Sequence, residues 1–210
     1  MLVLIMGQSG TGKSRSLLNC DPASTCILSP NNKPLPFKGS GKLYNEEAKN
    51  RFFVGDLKKL RQYILSINEK APHIKLLVIE DLTHYLNRRV VGDAGRKDYD
   101  KWTELAAETF QAVVCDNILR EDLHLVVIGH TQENKSGVSL QTAGKMLEEK
   151  INLPSYFTVV LHSVCNDGKY SFLTQHSGDL QAKSPEGMFE QQLIENDLAE
   201  VVAAIDNYYA

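Results

Sequence analysis

Runs of apolar residues and helix-period stripes alternate along this chain. Leu2-Val3-Leu4-Ile5-Met6 is short, unbroken and aliphatic, the pattern of a strand covered on both faces. Ile74 to Ile79 and His124 to Gly129 repeat that signature, and Thr25 to Ser29 and Arg51 to Val54 are shorter β-like runs. Between them, Leu57, Leu60, Ile64 and Ile67 recur at helical spacing and predict a helix over 56–69. Trp102, Leu105, Ala106, Phe110, Val113 and Val114 predict a second long helix, and residues 13–19 a first, halted before Pro22. Residues 30–50, rich in proline and asparagine, read as mostly irregular, and residues 87–100 as a polar loop. Strands at 156–163 and 169–174 are joined by Asn166-Asp167-Gly168, a hairpin turn signal. Ser184-Pro185-Glu186 reads as a helix start, and Ile194, Leu198, Val201, Val202, Ile205 and Tyr208 stripe a closing helix. Strands alternating with helices predict one α/β domain over 1–210, a doubly wound, mostly parallel sheet with an antiparallel hairpin extension.

The 210 residues suffice for a sizeable core, with 42% apolar and 23% charged positions. No apolar run is long enough for a membrane span, and the five-residue opening run lacks the flanks of a signal peptide. Cys20, Cys26, Cys115 and Cys165 form no C-x-x-C pair, which predicts buried thiols in a reducing compartment rather than a metal site. A net charge of −3 gives no overall nucleic-acid signature, so any such contact must be a local patch.

The chemistry concentrates after the first strand. Gly7-Gln8-Ser9-Gly10-Thr11-Gly12-Lys13-Ser14 fits G-x-x-x-x-G-K-S at every fixed position. A strand, a glycine-rich turn and a helix start aim successive N–H groups at one point, with the helix dipole adding to them. The residues expected to hold a nucleoside triphosphate are these eight and Arg15, with Lys13 on the β- and γ-phosphates and Ser14 on magnesium. Glu80-Asp81 end the second aliphatic strand, where ligands bind in parallel sheets. One of them is expected to hold magnesium and the other to polarise water, with the assignment open because alternate strand side chains point opposite ways. Glu46, Glu47, Asp56 and Glu133 are further carboxylate candidates. His130-Thr131-Gln132 after the third strand can sense the γ-phosphate, with His130 and Gln132 as the side chains of interest. The absence of an N-K-x-D guanine motif points to ATP.

Gly7 to Ser14, Leu76 to Tyr85 and Val126 to Gln132, in this order, resemble the RecA-core, AAA-type P-loop ATPases encoded by bacteriophages and prophages. Thr142 to Leu147, Pro154 to Phe157 and Ala182 to Phe189 are similar to that group as well, so the resemblance spans most of the chain. It implies a RecA-like P-loop NTPase fold, Mg-ATP hydrolysis coupled to single-stranded DNA in recombination or replication, a homo-oligomer and a bacterial host cytoplasm. It further implies that residues 133–150 face DNA and that Lys145 or Lys150 reaches a neighbouring subunit's γ-phosphate. RecA carries flanking domains; this chain opens on its core strand without an oligomerisation arm. Arg88, Arg89, Arg96, Lys97 and Lys101 form a local basic cluster with Tyr99 and Trp102 available to stack on bases, offset by Asp93, Asp98 and Asp100. Lys33, Lys38 and Lys42 form a second, weaker strip. A nucleoside monophosphate kinase, with Arg88, Arg89 and Arg96 as lid, and a nucleotide-switched assembly factor are the competing readings.

Overall fold

Five apolar residues with no polar interruption, ended by Gly7, give β1 (Leu2–Gly7), buried along its whole length at the centre of the sheet. A computed structural model describes residues 1–115, 117–134 and 137–210. After β1 come a 3₁₀ turn (Ser14–Asn19), β2 (Thr25–Ser29), α1 (Ser40–Leu43), β3 (Arg51–Phe53), α2 (Leu57–Lys70) and β4 (Leu76–Ile79). They are followed by α3 (Leu82–Gly92), α4 (Asp100–Val113), β5 (His124–Asn134) and β6 (Gly137–Leu140). The chain closes through β7 (Val159–Asn166), β8 (Lys169–Leu173), β9 (Leu193–Glu195) and α5 (Leu198–Tyr209).

The described strands form one mixed, mostly parallel sheet in the order β3-β2-β4-β5-β1-β7-β8-β9, with β6 paired to β5 alone. Alternate residues of β1 feed opposite cores. Leu2, Leu4 and Met6 pack with α2, α3 and α4. Val3 and Ile5 pack with Leu17 of the 3₁₀ turn and with Leu198, Val201 and Ile205 of α5. The α2 stripe of Leu57, Leu60, Ile64 and Ile67 is buried as its spacing requires, at about 1.5–3 kcal/mol per side chain. Asp56 caps that helix by accepting from the Lys59 N–H at 2.8 Å. Asp167 and Gly168, both at positive φ, make the β7–β8 turn. Cys20, Cys26 and Cys115 are buried, and burial pushes the Cys20 and Cys26 thiols up to about 12. No described helix is long and apolar enough to cross a membrane.

Four local expectations change. The helix over 13–19 is a six-residue 3₁₀ turn that ends at Cys20, ahead of Asp21-Pro22, so its dipole adds little to the loop before it. The first part of the loop expected over 87–100 is helix, because α3 continues through Arg88 and Arg89 to Gly92, and only residues 93–99 stay irregular before α4. Strand β5 does not stop at Gly129 but pairs onward with β6 from Thr131↔Leu140 to Asn134↔Gly137. No helix starts at Ser184: its hydroxyl donates to the Thr174 carbonyl at 3.1 Å and Gly187 turns to positive φ, while Ile194 sits on β9. The closing helix instead begins after Asp197, whose carboxylate accepts from the Ala199 N–H at 2.9 Å.

Candidate functional site

Gly7 ends β1 between β5 and β7, and the loop that follows folds over its own lysine. Two glycines are structural necessities. A Cβ on Gly7 would lie 2.6 Å from the Ser163 carbonyl oxygen. Gly12 has φ +96, and its Cβ would lie 2.6 Å from Cδ1 of Tyr170 on β8. Thr11 closes the loop by donating to the Gln8 carbonyl at 2.9 Å, and the Ser163 hydroxyl donates to the Thr11 carbonyl at 2.6 Å. The Ser16 N–H reaches the Gly12 carbonyl at 3.1 Å and its hydroxyl the Lys13 carbonyl at 2.6 Å. Gln8, Ser9 and Gly10 form the exposed tip. Lys13 is 7% exposed, and its ammonium donates to the carbonyls of Gly7 at 2.8 Å and Gln8 at 2.7 Å. Burial lowers its pKa from 10.5 to about 8, against the opposing pull of Asp81.

The other wall comes from β4 and β5. Because β5 lies between β1 and β4, His130 stands between the loop lysine and the carboxylates of β4. Its Nδ1 is 3.5 Å from Lys13 Nζ and its Nε2 is 3.4 Å from Asp81 Oδ2. An ammonium can only donate, so Nδ1 accepts and the Nε2–H faces the carboxylate. Thr83 steadies this arrangement, its hydroxyl accepting from the His130 N–H at 3.0 Å. Asp81 adopts a left-handed backbone, φ 60 and ψ 66, and caps α3 by accepting from the His84 N–H at 3.2 Å. That turn breaks strand alternation, so Glu80 and Asp81 both line the same cleft.

Their environments separate the two carboxyl groups. Burial raises the Glu80 pKa, although hydrogen bonds from Ser29 and Ser14 and the Arg51 charge pull the other way. Glu80 Oε2 lies 3.0 Å from the Ser29 hydroxyl and 3.6 Å from Arg51. For Asp81, burial is outweighed by hydrogen bonding and charge from His130 and His84, and its pKa falls below the usual carboxylate value. Asp81 is therefore held ionised beside Lys13. The cleft they share has a volume of about 500 Å³ and is also lined by Asn31, Lys33 and Tyr170. That volume suits a nucleotide-sized ligand.

No protein-family model and no curated protein matches this chain. Its functional reading therefore rests on the residues themselves. Among the described residues no group of three or more His, Cys, Asp or Glu makes a self-sufficient metal cage. Ser14 and Glu80, which both line the cleft, could instead give two oxygens to a cation that takes its other ligands from a phosphate and water, the usual way magnesium is held.

Several expected residues fall elsewhere. Gln132 lies on the β5–β6 hairpin opposite Ser139 and lines a different cleft, with Glu148 and Asn152. Lys145 precedes the short helical turn Met146–Lys150, and Lys135 and Ser136 of the 133–150 segment lie outside the described residues. The basic cluster is turned inward on acids. Arg89 pairs with Asp93, Glu104 and Glu108. Arg96 pairs with Asp98 at 2.7 Å and Glu104 at 2.6 Å. Arg88 donates to the Pro30 carbonyl at 3.3 Å, and Lys101 to the Arg96 carbonyl at 2.8 Å. Lys97 is exposed, as is Arg88. Asp56 is spent on its cap.

Sequence reasoning missed Ser29, Asn31, Arg51, His84 and Tyr170. Ser29 and Asn31 were findable, since they lie at and just beyond the carboxyl end of the parallel strand β2, as Glu80 does on β4, whereas Arg51 opens β3 and carries no such signal. Tyr170 carries no such signal, because its place depends on how the hairpin folds back over Gly12.

Proposed function

We propose that this chain is a RecA-like P-loop ATPase that binds Mg-ATP in the cleft between the 7–15 loop and the β4 and β5 ends. One observation carries the reading: Lys13, His130 and Asp81, from three separate segments, converge within hydrogen-bonding range around a loop of phosphate-binding pattern. Lys13 exchanges its two carbonyl acceptors for β- and γ-phosphate oxygens, and the loop N–H groups take the remainder of the charge. Ser14 and Glu80 would hold magnesium, which would neutralise charge developing on the phosphates. Asp81, ionised and oriented by His130 and His84, accepts a hydrogen bond from the water that attacks the γ-phosphorus in line. The bond to the β,γ-bridging oxygen breaks, ADP leaves, the proton of the attacking water passes by way of Asp81 to the released phosphate, and His130 registers departure of that phosphate through its contact with Lys13.

Coupling to single-stranded DNA and assembly into a homo-oligomer in a bacterial cytoplasm are implied by the sequence resemblance, and the neutralised arginines give the DNA part no added support. Lys33 and His84, which line the same cleft beside Asn31 and Asp81, favour one second reading, transfer of the phosphoryl group to a phosphorylated acceptor. Phosphate release from Mg-ATP, measured alone, with single strands, with duplex and with nucleoside monophosphates, tests all of these. Turnover that vanishes in Lys13→Ala and rises with single strands is expected. No turnover and no ATP binding overturns the site, unchanged turnover removes the DNA coupling alone, and label on a monophosphate installs the kinase.

A further inference from the structure

The two flanks of the phosphate loop differ. Sheet order places Glu80, Asp81 and Asn31 on the β4 and β2 side of β1, and Tyr170 of β8 on the opposite side. Lys13, His130 and Asp81 mark the end that takes a terminal phosphate. A triphosphate gripped there runs back along the loop, past Ser14 toward Arg15, and leads its nucleoside away from the carboxylates. At that end the Arg15 guanidinium lies over the Tyr170 ring, 5.0 Å from its centre. Both side chains are half-buried and both line the cleft. Among the described residues no carboxylate pairs with Arg15, in contrast to Arg89 and Arg96. The ring is set in place from below, since it packs on the bare backbone of Gly12.

We propose that the Arg15–Tyr170 stack is the platform for the base of a bound nucleoside triphosphate, and that it separates a nucleotide from bare polyphosphate. The inference rests on the nucleotide reading of the cleft. A planar guanidinium against a phenol ring offers π and cation–π contact to any heteroaromatic base. It carries no hydrogen-bond pattern that picks one base, so ATP and GTP bind alike.

Calorimetry in magnesium buffer, with inorganic tripolyphosphate, ATP and GTP as probes, tests it. The parent protein binds both nucleotides roughly ten-fold tighter than tripolyphosphate. Tyr170→Ala removes that advantage and leaves tripolyphosphate affinity unchanged, while Tyr170→Phe keeps the advantage. Arg15→Lys retains the charge but not the plane, and weakens only the nucleotides. Equal weakening of all three probes by Tyr170→Ala makes the ring a loop brace and overturns the platform. So does a parent protein that binds ATP no better than tripolyphosphate. A parent that binds none of the probes instead removes the nucleotide site itself, a distinct outcome.

Discussion

Replacing Gly12 by alanine loads two separate penalties onto one methyl group. At φ +96 an L-residue sits outside its comfortable backbone regions, which costs about 1–3 kcal/mol. The new Cβ also meets Tyr170 Cδ1 at 2.6 Å, where ordinary contact begins at 3.4 Å, so the ring must retreat by the difference, 0.8 Å. Forced overpacking of that kind costs about 1–3 kcal/mol. Together they imply a loss of about 3 kcal/mol, or roughly 6–12 °C in melting temperature for a domain of this length. Thermal unfolding of Gly12→Ala, Tyr170→Ala and the double variant separates the two parts. Removing the ring relieves the collision but not the backbone strain, so the double variant should melt above the sum of the single losses, by about 1–2 kcal/mol of coupling. Asn196 Oδ1, 3.2 Å from the same Cβ, keeps the relief incomplete. Strict additivity, or a Gly12→Ala protein that melts within 1 °C of its parent (roughly 0.3 kcal/mol), would refute the loop geometry.

Lys13→Met should melt above the parent at pH 7, because a pKa lowered from 10.5 to about 8 corresponds to a charge-burial cost on the order of 3 kcal/mol. The unfolded chain holds that proton more tightly, so parent stability climbs between pH 8 and 10.5 and the gap to Lys13→Met closes over that window in chemical denaturation. Asp81→Asn should keep ATP affinity while single-turnover hydrolysis slows by about 100-fold or more; unchanged hydrolysis removes Asp81 from the water-positioning role. Acid should destabilise the fold as pH drops below the ordinary histidine value of 6.5. Burial and then the N-terminal ammonium depress His124, and burial and the Lys13 charge depress His162, so the unfolded state takes those protons first. Glu80, raised by burial from its ordinary 4.5, works in the opposite direction. Urea midpoints from pH 7 to 5.5 should fall in the parent and flatten in a His124→Gln/His162→Gln double variant.

What the sequence revealed depended on how local the cause was. The β1 run, the α2 stripe and the Asp167-Gly168 turn are decided by residues within a few positions of each other, and all three form where the pattern puts them. The start of α3 needed Asp81 to enter a left-handed backbone, which no periodicity announces, although Leu82, Tyr85 and Leu86 then bury at helical spacing. The basic cluster misled for a related reason. A tally of charges over 88–101 could not know that Glu104 and Glu108, from the next helix, fold back on Arg89 and Arg96. At Ser184 the cap residues were right in kind, but a distant carbonyl on β8's far end outcompeted the local N–H groups. Within the site, the loop and the acidic strand end were readable, whereas the left-handed step that turns both carboxyl groups inward was not.

The hydrogen bond from Ser163 to Thr11 spans 152 positions of chain. The glycine-rich segment therefore leaves the ribosome well before the strand that closes it, which follows more than a hundred residues later. If the loop takes a nucleotide as proposed, that ligand adds nothing to folding until β7 has docked beside β1. A shortened chain that stops ahead of β7 would keep the glycine-rich sequence without the bond that closes it.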